Sequence, residues 1–523
     1  MKRYLNVLIA ASAALFPSCD RGALDPYDST DFEYGTGIEH EMIQLGERLE
    51  NPYKVDNVSA ALSALYPTKA RVEVETTNLY VRFLPADESE MDLLSGLELT
   101  DHPLDYAIAK EGDWYHDPSL SSDEITWMYA VVDKDYKFPD VRYEIIDNCF
   151  LSENHIQTRA DEGIDWEEVI RESYRLTGNG DMLQPLTKAE PGTPAGRITI
   201  VDEDANGGKP IGVAGVQVVC NSFVRIAVAT TDVDGYYAME KSFTTDIRYR
   251  LVFKNGKNYS LGFNLILVPA SVSTLGKTAP TGVNVTITTE SDPKLFRRCV
   301  VNNAVYDYIT RCNKEDLGIM PPPSDLRIWI FPQLESSSAI MMHHGTVVEN
   351  AVVASWLGAY TKVVSFFAPD ITLGVNGITS YKDIYTITSH ELAHTSHFAK
   401  VGKQWWDKYI AFILTSFLSS HGQTYGTGSE NGAGYCEVGE MWAYYLQSKI
   451  HKERYGGNMP SFGTSWWFYP QIFRYLDERG VSASDIFEAL CPEVTDRNQL
   501  KSELESLYPG KAGVISQVFS RYE

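Results

Sequence analysis

Hydrophobic spacing along the chain switches between a period near 3.6 and a period of two, and the switches divide it into blocks. Ile38, Met42, Leu45 and Leu49 follow helical spacing and predict a first amphipathic helix, with a second short helix over Asn57–Tyr66. Arg71–Leu84 is rich in β-branched and aromatic residues, and its Val72, Val74 alternation predicts a half-buried strand. Trp127–Val132 and Val141–Ile146 read the same way, and Asp161–Leu176 predicts a linking helix. From Gly196 to about Ile287 strand-like runs alternate with closely spaced turn signals, the pattern of a β-sandwich. A helix follows over Leu295–Cys312, then the break Pro321-Pro322-Pro323, then strands over Leu326–Phe331 and Ile371–Val375. Beyond Gly402 the spacing is helical, and the apolar run Tyr409–Leu418 predicts a buried helix. The expected fold is α+β and multidomain. A tether and small α+β domain span 20–190, a β-sandwich spans 191–290, and a mostly helical domain spans 291–523.

Residues 1–19 stand apart. Lys2 and Arg3 precede a short apolar run, Leu5–Phe16, and then Phe16-Pro17-Ser18-Cys19. This reads as an export signal that resembles a bacterial lipobox, with Cys19 the lipidated residue. The apolar run is too short to span a bilayer. A lipid anchor in the cell envelope of a Gram-negative bacterium, at the outer membrane, is therefore expected. The net charge of −25 over 523 residues argues against nucleic acid, whose phosphates need clustered Lys and Arg. Six further cysteines (149, 220, 299, 312, 436 and 491) show no CxxC spacing, so no thiolate metal site is expected, and Cys436 reads as a buried structural residue. His40, His102, His116 and His155 are scattered and read as ordinary histidines.

The chemistry concentrates at His390-Glu391-Leu392-Ala393-His394. Histidines at i and i+4 share a helix face, so both imidazoles can reach one metal ion. Glu391 is then placed to take a proton from a water activated there. Ser380-Tyr381-Lys382-Asp383 is a capping-box signal that starts this helix, and Gly402 is its expected stop. Downstream, Glu437 and Glu440 lie three residues apart at the start of an apolar helical run, where carboxylates are costly unless paired or bound to a metal. His397 shares the face of the two histidines, one turn on, as a substrate contact or alternative ligand; His343 and His344 are weaker candidates.

His390-Glu391-x-x-His394 followed by Glu440-Met441-Trp442-Ala443-Tyr444-Tyr445 resembles the gluzincin metallopeptidases, whose second helix carries Glu-Gly-aromatic-Ala-x-Tyr. Met441 stands where that pattern has glycine. The resemblance implies one zinc ion per chain held by His390, His394 and Glu440, with Glu391 the general base of peptide-bond hydrolysis. Glu437 would support the ligands from behind or serve as the alternative ligand, and Tyr444, His421 or Tyr435 would stabilise the oxyanion. Gly196, Pro210-Ile211-x-Val213-x-Gly215-Val216 and Thr231-Asp232-x-Asp234-Gly235-x-Tyr237 resemble the carboxypeptidase regulatory-like sandwich, an accessory module. Asp202-x-Asp204-x-Asn206-Gly207 matches half of a calcium loop, but Val213 holds the twelfth position and a hairpin turn is expected instead. Strands ahead of the helix suit a zincin, in which an edge strand pairs with an extended peptide. Two other classes compete: a lipid-anchored surface binding protein retaining a zincin fold without cutting, and an envelope scaffold with structural zinc. A protein or peptide substrate and a membrane are the expected partners.

Overall fold

A computed structural model describes residues 42–69, 72–120, 125–183, 192–262, 270, 272–332, 336–346, 368–419, 425–457 and 466–522. The expected leader, Cys19, the tether, Ile38 and His421 lie outside these residues. The fold is mixed α and β with several sheets. No helix among the described residues is long and apolar enough to cross a membrane.

In the first block, β1 (Gln44–Arg48) pairs antiparallel with β3 (Tyr106–Lys110). β2 (Asn78–Leu84) is the centre of a three-stranded antiparallel sheet between β4 (Met128–Asp133) and β5 (Arg142–Cys149). α1 (Val55–Leu65) and α2 (Trp166–Leu176) bury Val58, Leu62, Val169 and Tyr174 in a shared core. The helix expected from Ile38 to Leu49 is a correction: its described part is strand. Gly46 lies inside that pattern, costs about 1 kcal/mol in a helix relative to alanine, and here packs closely on Ala107 across the strand pair. α2 starts at Trp166 rather than Asp161 because the Asp165 carboxylate accepts the N–H groups of Glu167 and Glu168.

The second block forms two four-stranded sheets. One contains β6 (Ala195–Ile200), β7 (Ile211–Gly212), β10 (Tyr236–Ala238) and β15 (Asn284–Ile287). The other runs in the order β14 (Val272–Thr278), β11 (Ile247–Val252), β8 (Gln217–Ser222), β9 (Arg225–Thr230). Ile198, Ile200, Val218, Tyr249 and Leu251 alternate into their common core. β6 and β7 form the expected hairpin, with Asn206, Gly207 and Gly208 at positive φ in its turn.

A further sheet joins the sandwich region to the helical one. β12 (Lys254–Asn255), β13 (Tyr259–Leu261), β16 (Leu326–Phe331) and β17 (Ile371–Gly374) pair in that order, so strands from both sides of residue 291 share hydrogen bonds. The outer edge of β17 is occupied: Ser338 and Thr372 exchange both backbone hydrogen bonds, 2.9 and 2.8 Å. α3 (Pro293–Arg311), capped by Asp292, leads on to the long helices α4 (Tyr381–Val401), α5 (Lys403–Ser419) and α6 (Ala433–Tyr455). Four shorter helices follow between Gln471 and Phe519. The sandwich and these helices share one continuous apolar core.

Candidate metal centre

α4 begins where the sequence indicated. The Ser380 hydroxyl accepts the Asp383 N–H (3.1 Å), and the helix stops at Gly402 with φ of 79°. It packs against α3 and α6, burying Ile384, Leu392 and Phe398. The Trp442 indole N–H donates to the Ala393 carbonyl (3.0 Å) and ties α4 to α6 at the level of the histidines. Gly439 lets α5 approach: a Cβ there would lie 3.3 Å from the Tyr409 ring.

This packing brings His390, His394 and Glu440 together. One donor atom from each lies within 4.8 Å of the other two. His390 is 2% exposed, and His394 and Glu440 are fully buried. His390 Nε2 lies 3.6 Å from Glu440 Oε2, and His394 Nε2 lies 3.6 Å from Glu440 Oε1. These separations decide between two readings. A hydrogen bond would sit at about 2.7–3.2 Å. Donors about 2.0–2.2 Å from one tetrahedral ion are about 3.3–3.6 Å apart. The spacing suits a shared cation. His390 Nε2, both nitrogens of His394 and Glu440 Oε2 make no hydrogen bond, a costly state for buried groups unless something binds there. The cluster can hold a metal ion.

The surroundings prepare the donors. The Gln447 side-chain oxygen faces His390 Nδ1 at 3.1 Å, which keeps the proton on Nδ1 and a lone pair on Nε2. The Tyr409 hydroxyl donates to Glu440 Oε1 at 2.5 Å. Burial pushes His394 down to about 3, so its imidazole is neutral, the form that binds metal. Burial opposes a proton on His390 too, but Glu440 and then Glu391 outweigh it and raise its pKa. Burial likewise works against the Glu440 carboxylate, yet the two histidines and Tyr409 hold its pKa below the ordinary value.

Glu391 is fully buried beside His390. Tyr444, one turn beyond Glu440, packs its ring edge-on to His390 at 4.6 Å, with its hydroxyl 3.5 Å from that of Tyr425. Tyr425, Trp466 and Phe468 pack around it. The remaining candidates go elsewhere. Glu437 accepts the Arg497 backbone N–H (3.0 Å) and pairs with its guanidinium (3.3 Å), not with a histidine. His397 is buried against the Trp405 ring and stands outside the converging donors. His343 pairs with Asp325, and His344 with Asp370. Tyr435 packs on Trp405. All six cysteines outside the leader are unpaired thiols, and Cys436 is fully buried. Tyr409 and Gln447 were not anticipated. Gln447 falls on the helical spacing 440, 444, 447, which is the signal that could have found it.

In comparison with known proteins, no protein-family model, no curated protein and no solved structure matches the chain.

Proposed function

We propose that this chain is a zinc-dependent metallopeptidase of gluzincin type, held in the envelope of a Gram-negative bacterium by a lipid on Cys19. One observation carries the reading: two imidazole nitrogens face one carboxylate at 3.6 Å, with a buried glutamate next in sequence to the first histidine. Two histidines and one carboxylate form a donor set that suits zinc and leave a fourth position for water, as catalytic sites do. When bound, the ion polarises a scissile carbonyl and lowers the pKa of a water toward about 7. With the ion in place, Glu391 would act as the base for water and return the proton to the leaving amine. Gln447 fixes the tautomer of His390, and Tyr409 steadies Glu440. The Tyr444 hydroxyl is the candidate donor to the oxyanion. The sandwich is accessory in this reading.

The burial of the donors, with the Tyr444 ring packed on His390, favours a second reading, a structural zinc centre in a non-catalytic, lipid-anchored surface protein. Glu391 speaks against it, because a purely structural centre has no use for a buried carboxylate that is not a ligand. Purified protein profiled on a peptide library, with and without chelator, separates the two. Cleavage that chelator removes and zinc restores supports the peptidase; a zinc-loaded protein that cuts nothing supports the alternative.

A further inference from the structure

A cavity lies away from the metal donors. It has a volume of about 480 Å³ and opens between residues 91–113 and the outer face of the β14-β11-β8-β9 sheet. Strand alternation explains how it arises. Tyr249 and Leu251 of β11 face the sandwich core, so Arg250 and Val252 point the other way, as Gln217 and Val219 do on β8. That face would ordinarily meet water. Here the first block covers it, and Arg250 is left 6% exposed.

Arg250 is poorly matched for a buried cation. Its guanidinium donates to Asn221 Oδ1 at 3.3 Å, its Nε has no acceptor, and no described carboxylate pairs with it. Burial accordingly holds it down to about 10. Glu98 also lines the cavity, at an exposed position, and makes no hydrogen bond or ion pair among the described residues. Of the other acids lining the cavity, Asp101 is engaged by His102 Nδ1 (3.0 Å) and the Tyr115 N–H (2.7 Å), Asp113 by Lys294 (2.8 Å) and Arg298 (3.3 Å), and Asp325 by His343 (3.1 Å), while Asp92 is exposed with Arg327 3.9 Å away. Met91, Leu94, Leu97 and Leu99 supply an apolar wall between. The cavity thus presents one buried cation short of acceptors, an exposed carboxyl with no protein partner among the described residues, and an apolar surface, in a volume typical of small-molecule sites.

We infer that this cavity is a binding site for a small zwitterion with an apolar body, an amino acid or short peptide. Its carboxylate would meet Arg250, its ammonium Glu98, and its side chain the leucine wall. A charged hydrogen bond to Arg250 would replace the missing acceptor. The site is independent of the metal centre.

Calorimetric titration of the full chain with leucine, leucyl-leucine, N-acetylleucine and leucinamide tests it, with chromatography checking that the dipeptide stays intact. Saturable binding is expected for leucine or leucyl-leucine, and at least about tenfold weaker binding for the two blocked derivatives, each of which loses one charged contact. Arg250→Gln should abolish binding. Glu98→Gln, at an exposed position that the fold tolerates, should weaken leucine about tenfold and leave N-acetylleucine unchanged. Absence of saturable binding by either zwitterion at millimolar concentration would overturn the inference. So would blocked ligands that bind as well as leucine, or zwitterion affinity unaltered in folded Glu98→Gln.

Discussion

Asp202, just after β6 of the sandwich, and Glu440, on α6, are both fully buried carboxylates, and their surroundings are opposite. Asp202 Oδ2 accepts three hydrogen bonds, from Arg454 Nε (3.2 Å), Arg454 Nη2 (2.8 Å) and the Tyr455 hydroxyl (3.2 Å). Arg454 in turn lies over the rings of Tyr381 and Tyr385. Glu440 Oε1 receives the Tyr409 hydroxyl, Oε2 receives nothing, and two imidazole nitrogens face the group from beyond hydrogen-bond distance. α6 carries Glu440 in its first half and Arg454 at its end, so one helix serves both. A buried carboxylate whose lone pairs are filled is a structural tie, here between the sandwich and the ligand helices. One that faces two imidazole nitrogens from beyond hydrogen-bond distance can hold a cation together with them. Asp202 is therefore no calcium ligand, despite the half-motif in its sequence.

That contrast can be broken most severely at Glu440. Glu440→Ala should remove the metal from the folded protein, a loss beyond the ~10–100-fold of outer contacts. Glu437→Ala, three residues earlier but committed to Arg497, should leave affinity unchanged in a competition titration with a chromophoric chelator. Metal loss in the second variant and not the first would invert the assignment. Next comes the filled tie. Arg454→Met strands the Asp202 carboxylate in the core and should cost about 3–5 kcal/mol of stability in denaturant unfolding. Metal stoichiometry should survive; if it falls in the folded variant, the two ends of α6 are not separate.

Gln447→Ala should lower metal affinity by about 10–100-fold while leaving one site per chain. An unchanged affinity would mean that the tautomer of His390 is set by something else. The smallest effect concerns His344, whose Nδ1 lies 2.9 Å from Asp370 Oδ1. Burial would lower its pKa, but Asp370 outweighs burial and raises it. A folded pKa above the unfolded value gives stability that is full below the unfolded pKa and lost as pH rises through the folded one. His344→Gln should therefore cost more stability at about pH 5.5 than at about pH 8.5. A cost independent of pH would remove that account.

Much of the helical half was legible because its signals are local. The Ser380 cap, the Gly402 stop, the i and i+4 histidines and the apolar run around Glu440 each lie within a turn or two of what they determine. Where a feature depended on a distant layer, the sequence was silent or misleading. Leu45 and Leu49 keep helical spacing, yet pairing with Tyr106–Lys110 makes Gln44–Arg48 a strand. Glu437 and Glu440 share a helix, and only the position of Arg497 separates them. Arg250 occupies an outward position on its strand, and nothing local says that another block covers it.

The account stands most directly on Glu391→Gln, compared with the unaltered chain for zinc content and peptide hydrolysis. Glutamine fills the same volume and the residue is not among the converging donors, so zinc should stay at one per chain. Turnover should fall at least ~100-fold, the scale of a lost general base. Undiminished hydrolysis by that variant, or an unaltered chain that binds no zinc, would contradict the assignment of this centre as catalytic.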